Sequence, residues 1–328
     1  MLKLVHFLMV TITVMVVFCV PFYLLAIPAS FEEAKKIARQ EIFFDQAAGK
    51  QGTLYCGCQW QWIRKSGDRV DLATCGYQVR KQINRAQRIE WEHIVPASVF
   101  GHQRQCWQNG GRKNCVMTDP VFRAMEADLY NIAPSIGEVN GDRSNFNYGQ
   151  VAFSVLSHYG QCQSRVDFKN RIFEPRNEVK GQVARVMFYM YDRYNLKMSK
   201  QQQQLLIAWD RQFPVNSWEK LQNERIGKIM GHYNPFVTGE LTWRLGHKNQ
   251  AIGLTAIDKK VVKTKGNLPT MASNNLTAVI KGNQISQIYH FSHCQGYRIL
   301  STKNSVTFEN EQAAIAAGYR LAKNCQRP

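Results

Sequence analysis

Apolar positions recur at helical spacing in several parts of the chain, and most of these stretches begin at a recognisable cap. Ser30 opens a capping box that predicts a helix through Ile42. Asp119 and Pro120 fit the first positions of a second helix, whose apolar face extends to Leu129. The same spacing predicts three further helices, at about 179–190, 199–209 and 216–230.

Shorter runs with strand character lie between these helices, and polar stretches connect them. The strand-like runs are 53–60, 76–80, 88–97 and 130–134. The glycine-rich stretch 101–118 is predicted as a loop, and 137–146 as a turn that enters a short helix. The chain up to residue 245 is therefore expected to form one domain, 30–245, of mixed helices and strands.

Periodicity is lost over 246–283, which we interpret as a linker, and it returns in a small C-terminal domain, 284–328. Within that domain, Ile288–His290 is strand-like and Glu311–Lys323 is predicted as a helix. About 40 residues are too few for a robust core without a staple. A disulfide between Cys294 and Cys325, or a metal, would supply one.

The N-terminus has the pattern of an export signal. Lys3 precedes an uncharged, mostly apolar run from Phe7 to Ile27, and small residues follow up to Ala29. Residues 1–29 are therefore predicted as a signal peptide. The run is also long enough to span a bilayer, so an uncleaved anchor is the alternative. Either arrangement places the rest of the protein outside the cytoplasm.

Cysteine usage agrees with export. Of the nine cysteines, Cys19 lies within the apolar N-terminal run, and the other eight are an even number, which indicates disulfides in an exported chain. No Cys-x-x-Cys pair occurs, so neither a redox motif nor a standard zinc finger is supported. Cys106 and Cys115 are expected to close a local loop, whereas the pairing of the other upstream cysteines stays open. The candidates are Cys56, Cys58, Cys75, Cys106, Cys115, Cys162, Cys294 and Cys325.

Composition and charge narrow the class of partner. The 328 residues are 45% hydrophobic, which excludes a disordered chain. The net charge of +18 and the pI of about 9.6 indicate nucleic acid or an anionic membrane surface as partner. A basic exported protein without such a partner is the alternative, since charge alone does not decide this.

The candidate chemistry is centred on Glu92 and His93. Neighbouring side chains of a strand point to opposite faces, so one can hold a metal while the other faces a reacting group. Asn140 is a candidate second oxygen donor for Mg²⁺, and Arg112 could clamp a phosphate. The candidates for contacts with the DNA backbone are Arg80, Arg104, Lys113 and Arg143. Taken alone, the Glu-His pair also fits a surface salt bridge, and the segment at Asn140 an ordinary turn.

Several segments, in a fixed order, resemble one known family. They are YCGC at 55–58, CGYQVR at 75–80, RIEWEHIVPA at 88–97, FGHQRQCW at 100–107, GGRKNC at 110–115, NIAP at 131–134, GEVNGDR at 137–143 and NP at 234–235. Together they resemble the bacterial endonuclease I family of secreted and periplasmic nucleases, over roughly 31–240.

The resemblance implies an α+β fold in which a ββα-metal core is surrounded by helices and stabilised by disulfides. It implies that His93 is the general base, that Glu92 and Asn140 bind Mg²⁺, and that Arg112 stabilises the cleaved phosphate. Mn²⁺ or Ca²⁺ is expected to substitute for Mg²⁺. Glu126 matches a further acidic position near the site. The implied reaction is cleavage of DNA, and in some members RNA, to 5′-phosphate products with little sequence preference.

The tail from Ile288 to Cys325 resembles the small zinc-binding domain of the bacterial alkylation-response protein. That domain uses four cysteines, whereas this tail contains two, with His290 and His293 as substitutes. In an exported chain a Cys294–Cys325 disulfide is favoured over zinc. A role for this tail in holding DNA is a hypothesis.

Two rival functions belong to other classes. The first is a non-catalytic DNA-binding protein of the cell surface, for instance in DNA uptake, which would not need the set Glu92, His93, Arg112 and Asn140. The second is an anchored protein whose basic face lies on anionic lipid, which requires the apolar N-terminal run to stay uncleaved. We expect a monomer without an obligate protein partner.

Overall fold

The computed structural model describes residues 27–63, 68–255, 280–292, 294–300, 304–308, 311–322 and 324–325. The apolar run predicted as a signal peptide or anchor lies almost entirely outside these residues. Within them, no helix is long and apolar enough to cross a membrane. The chain divides into two compact units, Met1–Val262 and Lys263–Pro328, which are described separately.

Helices are the commonest regular structure in the described part of the first unit, and four of the longer ones begin at a side-chain cap, three of which the sequence predicts. Ser30, Asp119, Ser199 and Asn216 each accept a backbone N–H of the first helical turn. The helices are α1 Phe31–Ile37, α2 Ile83–Ala86, α3 Ala97–Gly101, α4 Gln105–Gln108, α5 Gly111–Thr118, α6 Pro120–Glu126, α7 Gly137–Arg143, α8 Asn177–Arg193, α9 Lys200–Gln212, α10 Ser217–Met230 and α11 Pro235–Thr238.

The strands of this unit are short and form three small sheets. They are β1 Gln59–Gln61, β2 Arg69–Asp71, β3 Ile89–His93, β4 Ile132–Ile136, β5 Asn147–Tyr148, β6 Arg165–Asp167 and β7 Ile172–Glu174. The pairs β1–β2 and β3–β4 are antiparallel, and the third sheet has the order β5-β7-β6. The fold is therefore α+β, as the sequence predicts.

The elements that position the candidate site are β3, β4 and α7. In the β3–β4 ladder, Glu92 lies opposite Ala133 and His93 opposite Ile132. Helix α7 begins at Gly137, directly after β4. A Cβ atom on Gly137 would lie 2.6 Å from the backbone oxygen of Arg85, so only glycine permits this close packing. The arrangement is two strands and a helix, the ββα unit that the resemblance implies.

A buried helical layer supports this unit. Helix α8 is buried over most of its length, and α9 and α10 pack on it or near it. Within the layer, the buried Arg185 donates to both carboxylate oxygens of Glu219, at 2.7 and 2.6 Å, and to Asp210 at 2.8 Å. These hydrogen-bonded carboxylate partners offset the cost of burying the Arg185 charge.

Four disulfides form, and each joins two of the predicted cysteines. Cys106 pairs with Cys115 across the local loop that the sequence predicts. The two pairings that the sequence leaves open are Cys56–Cys162 and Cys58–Cys75. They attach the segment around Tyr55 to distant parts of the same unit.

Several element boundaries differ from the sequence predictions. The stretch 101–118, predicted as a loop, contains α4 and α5, which the Cys106–Cys115 disulfide joins. The α-helical part of the first predicted helix ends at Ile37, and a π-helical turn follows from Ala38 to Ile42. Helix α6 ends at Glu126, because the Asp128 side chain caps a separate 3₁₀ turn that contains Leu129.

The second unit is built around one small sheet. Its strands are β8 Ile280–Asn283, β9 Ile288–Phe291, β10 Ser305–Phe308 and β11 Arg320–Leu321, in the order β10-β8-β9-β11, and its helices are α12 Gln295–Ile299 and α13 Glu311–Ala316. Strand β8 begins inside the stretch interpreted as a linker. Helix α13 ends well before Lys323, because Gly318 takes a left-handed conformation and the chain then enters β11.

The predicted Cys294–Cys325 disulfide is present in this second unit. Both sulfur atoms are buried beside Tyr289 and Ala322 in a separate small core. Because the two sulfurs are bonded to each other, neither is a free thiolate for zinc.

Candidate active site

A pocket of about 400 Å³ lies between the end of β3, α5 and α7. Four of its lining residues are Glu92, His93, Arg112 and Asn140, which the sequence predicts as the metal ligands, base and phosphate clamp. They come from three different elements, so the fold brings them together. Phe31 at the start of α1 lines the same pocket.

Glu92 is buried and held by two partners on one oxygen. The Tyr55 hydroxyl donates to Glu92 Oε1 at 2.6 Å, and Arg143 Nη1 lies 3.0 Å from the same oxygen. Burial raises the pKa of the Glu92 carboxyl, and the Arg143 charge opposes that rise. Because both contacts use Oε1, they leave Oε2 with its acceptor capacity.

His93 is buried next to Glu92, and its imidazole is fixed by a backbone oxygen. Nε2 lies 2.8 Å from the carbonyl oxygen of Glu126. A carbonyl can only accept, so Nε2 carries the proton and donates, and Nδ1 keeps its lone pair. Burial lowers the pKa of His93 to about 4, with smaller contributions from nearby Arg112 and Arg143. The ring is therefore neutral at pH 7 and available as a base.

Arg112 lies on α5 at the edge of the pocket, with about half of its side chain exposed. Its Nε donates to Glu126 Oε1 at 2.5 Å, and its guanidinium carbon lies 5.6 Å from the centre of the Phe31 ring. Glu126 therefore contributes to the site through two groups: its carbonyl holds His93 and its carboxylate holds Arg112. The remaining guanidinium donors of Arg112 can bind a phosphate oxygen.

Asn140 lies on α7, and its orientation is fixed by Glu90 of β3. Asn140 Nδ2 donates to Glu90 Oε2 at 3.3 Å. A carboxylate only accepts, so this contact assigns the amide nitrogen to Glu90 and leaves Oδ1 for another partner. Glu90 also accepts from Arg85 and Arg88, and hydrogen bonds from Arg85 and Arg88 lower the pKa of its carboxyl against the effect of burial.

The donor set fits a hard divalent cation. A carboxylate from Glu92 and an amide oxygen from Asn140 on one pocket are ligands that Mg²⁺ accepts. Among the residues that the structure describes, no group of three or more His, Cys, Asp or Glu side chains is arranged to hold a metal. With Glu92 and Asn140 as its protein ligands, a cation bound here would take its other ligands from water and substrate oxygens.

Sequence comparison identifies the family. The family model described as Endonuclease I matches residues 30–240, which is more than half of the chain and includes every element around the pocket. The chain belongs to the endonuclease I family. This confirms the resemblance that the motifs carry, whereas the C-terminal resemblance to a zinc-binding domain is not addressed by the match.

Three relatives within the endonuclease I family have names that describe nucleases. "Endonuclease-1" of Buchnera aphidicola subsp. Baizongia pistaciae is 45% identical over 67% of this chain and 87% of its own length. "Extracellular deoxyribonuclease" of Aeromonas hydrophila is 51% identical over 56% of this chain and 81% of its own length. "Periplasmic deoxyribonuclease" of the same organism is 50% identical over 56% of this chain and 77% of its own length.

In this endonuclease I chain, the predicted DNA-backbone contacts are not equivalent. Arg143 is 1% exposed, donates to the backbone oxygens of His93 and Ile94, and contacts Glu92. Its buried guanidinium therefore stabilises the site residues and is not placed for a contact with DNA at the surface. Arg80 pairs with Asp142, and Arg104 with Asp119, which neutralises part of their charge. Lys113 is exposed beside Arg112.

Two residues of the site were not predicted from the sequence. Tyr55 holds Glu92, and its place as the first residue of the YCGC segment was its signal in the sequence. Phe31 contacts His93 with ring centres 4.3 Å apart, yet it lies in a capping box that has no catalytic signature. Both contacts join segments more than 30 residues apart, which spacing cannot show.

Proposed function

We propose that the protein is an exported, Mg²⁺-dependent, sequence-nonspecific endonuclease. It hydrolyses phosphodiester bonds of DNA, with RNA as a further substrate, and leaves 5′-phosphate ends. The observation that carries this proposal is the convergence of Glu92, His93, Arg112 and Asn140 on one pocket. Mn²⁺ and Ca²⁺ are the proposed substitutes at the same ligands.

Both the net positive charge and the family match support nucleic acid as the substrate. A net charge of +18 favours a polyanionic partner. The family match and the relatives named deoxyribonucleases make DNA the first choice. The metal held by Glu92 and Asn140, and the forked guanidinium of Arg112, would contact the backbone phosphate and not the bases. Cleavage should therefore depend little on base sequence.

Export is supported by three independent features. The relatives include proteins named extracellular and periplasmic deoxyribonucleases. The four disulfides are typical of a protein outside the reducing cytoplasm. The apolar stretch from Phe7 to Ile27 fits a signal peptide, with an anchor as the alternative.

The residues of the pocket divide the proposed reaction among them. His93 Nδ1 accepts the proton of the attacking water, since Nε2 is fixed on the Glu126 carbonyl. Arg112 donates to the phosphate as negative charge accumulates on its oxygens. Glu92 and Asn140 would hold Mg²⁺, which would supply Lewis acidity at the scissile phosphate and the leaving 3′-oxygen. Tyr55 and Arg143 keep the Glu92 carboxylate in place.

Plasmid cleavage by the oxidised protein tests this function. We expect nicking and linearisation with Mg²⁺ and none with EDTA. We expect His93→Ala to lose activity by at least about 100-fold, because general-base catalysis contributes that much, while DNA affinity persists. His102→Ala is the matched control, since His102 is exposed and lies outside the residues that line the pocket.

The outcomes separate the proposed enzyme from its rivals. Turnover by purified His93→Ala close to that of the parent protein would remove His93 from the role of base. Binding of plasmid without cleavage under any divalent cation would instead favour the non-catalytic DNA-binding protein. Cleavage that persists in EDTA would contradict metal dependence.

A further inference from the structure

An exposed turn lies between β6 and β7, beside the site pocket. Asp167 closes this turn: its Oδ1 accepts the backbone N–H of Asn170 at 2.9 Å and its Oδ2 accepts Asn170 Nδ2 at 2.7 Å. The residues that the turn presents to solvent include Lys169 and Arg171. Because the turn is hydrogen-bonded internally, these two cations are displayed from a defined backbone.

Arg171 has a backbone conformation that side chains rarely adopt. Its φ angle is 56°, in the left-handed region. Ser144, which lines the site pocket, has a φ of 50°. Ser144 precedes β5 and Arg171 precedes β7, its parallel partner, and the Asn147 N–H donates to the Arg171 carbonyl. Backbone strain in non-glycine residues concentrates at functional sites, so this pair of positions suggests a function for the turn.

The side chain of Arg171 reaches the rim of the pocket. Its Nη2 donates to Asn145 Oδ1 at 2.6 Å, and its guanidinium carbon lies 4.9 Å from the centre of the Phe146 ring. Asn145 lines the same pocket as Glu92 and His93. The amide is neutral, so this contact orients the guanidinium without cancelling its charge, unlike the carboxylate pairs of Arg80 and Arg104.

We propose that Arg171 binds a phosphate of the DNA strand next to the scissile phosphate. Asn145 and Phe146 orient its guanidinium toward that phosphate, and Lys169 adds positive charge beside it. A DNA strand whose scissile phosphate contacts Arg112 must continue past the rim of the pocket. Arg171 lies on the side of that rim formed by Asn145. This proposal rests on the proposed nuclease function and extends its substrate-binding surface beyond the predicted arginines.

The test is the salt dependence of DNA binding, measured by titration of a fluorescent duplex in the His93→Ala background so that the DNA stays intact. Arg171→Gly is the informative variant, because glycine adopts the left-handed conformation without strain. The slope of log K, the association constant, against log salt concentration is negative, and we expect its magnitude to decrease by about 0.9. We expect the association constant at 0.1 M salt to decrease about eight-fold. Arg171→Lys should restore the slope, because it keeps the charge. The melting temperature of Arg171→Gly should stay within about 4 °C of the parent.

Arg211→Ala is the matched control, because Arg211 is an exposed arginine in the last turn of α9, outside the residues that line the site pocket. It should leave the slope unchanged. An Arg171→Gly slope equal to that of the parent overturns the proposal while leaving the nuclease function intact. A parent protein that fails to cleave DNA in the plasmid assay overturns the proposed function itself. Those two failures appear in different assays and are therefore distinguishable.

Discussion

At the residue scale, the site depends on which atom of each side chain is already occupied. Glu126 holds His93 through Nε2, which leaves Nδ1 for the proposed role of base. Glu90 holds Asn140 through Nδ2, which leaves Oδ1 for the proposed role of metal ligand. Glu90 had no assignable role in the sequence, although it is two residues from Glu92. Its role is visible only when β3 and α7 are brought together.

Replacing Glu90 by Gln should weaken binding of Mg²⁺ without removing a ligand. A neutral amide can present either its oxygen or its nitrogen to Asn140, and it weakens the pairing with Arg85 and Arg88. Loss of such an orienting partner typically costs about 10-fold or more in metal affinity. We expect the Mg²⁺ concentration for half-maximal cleavage to rise by that factor, and Asn140→Ala to raise it further.

Glu224→Gln is the control for this measurement, since Glu224 is an exposed carboxylate on α10 and its loss changes the charge equally. It should leave the Mg²⁺ titration unchanged. A Glu90→Gln titration that superimposes on that of the parent would mean that Asn140 is oriented by other contacts.

At this scale, four residues that line the candidate site were predictable, whereas the contacts that support them were not. Glu92, His93, Arg112 and Asn140 stand in motifs that carry their chemistry in the sequence. Arg143 lies in one of the same motifs, yet its side chain is turned inward onto Glu92 and two backbone oxygens. Whether a motif arginine faces DNA or the core depends on packing, which a linear pattern does not contain.

At the element scale, α7 packs closely against the segment before β3, and α7 places Asn140 on the same pocket as Glu92. Gly137 permits that approach, since a Cβ there would meet the Arg85 backbone oxygen at 2.6 Å. A Cβ on Gly141 would lie 2.0 Å from Arg85 Nη1, which is the end of a flexible side chain. The two glycines of the GEVNGDR segment therefore differ in how much strain a methyl group would cause.

Gly137→Ala should lower stability and impair cleavage together. Backbone atoms cannot move aside as a side chain can, so we expect a loss of about 1–3 kcal/mol. This corresponds to a fall of roughly 2–4 °C in melting temperature for each kcal/mol. Gly141→Ala should cost less, because Arg85 can shift. Thermal unfolding followed by circular dichroism compares the two variants, and an equal or larger loss for Gly141→Ala would contradict this account.

The helix starts were predictable from local chemistry, because a cap is a contact within one turn. Ser30, Asp119, Ser199 and Asn216 all cap the helices that the sequence assigns to them. Helices α4 and α5 were missed, since their glycine-rich and polar sequence has little helical periodicity. The disulfide joins Cys106 of α4 to Cys115 in the middle of α5, and this contact between the helices outweighs weak local propensity.

At the scale of the whole molecule, the disulfides connect the site to distant segments. Cys56 pairs with Cys162, which lies three residues before β6. The disulfide therefore attaches Tyr55, the neighbour of Cys56 that holds Glu92, to the segment before β6. The sequence predicted that the cysteines are paired but could not choose this connectivity, because four cysteines allow three pairings. The choice is made by the fold, which brings residues 106 positions apart into contact.

Charge is also distributed over the whole molecule, and the second unit carries a large share of it. Residues 263–328 contain eight Lys and Arg against two Asp and Glu, so this unit supplies about one third of the net charge of +18. The hypothesis that this tail helps to hold DNA rests on its resemblance to the zinc-binding domain and on Lys303, Arg320 and Lys323, and this charge agrees with it. Its described part has its own small core and disulfide, and the family match ends before it, at residue 240.

A chain ending at Val262 should therefore cleave DNA but bind it less tightly. Loss of the tail cations should reduce the slope of log K against log salt by at least about 1, if one or more of them contacts phosphate. Affinity and slope are measured on one duplex for the full and shortened chains in the His93→Ala background.

The double variant Cys294→Ala/Cys325→Ala keeps every charge and removes only the disulfide. If it binds like the full chain, the tail acts through charge alone; if it binds like the shortened chain, the folded tail is required. Equal slopes for the full and shortened chains would leave DNA binding entirely to the nuclease unit.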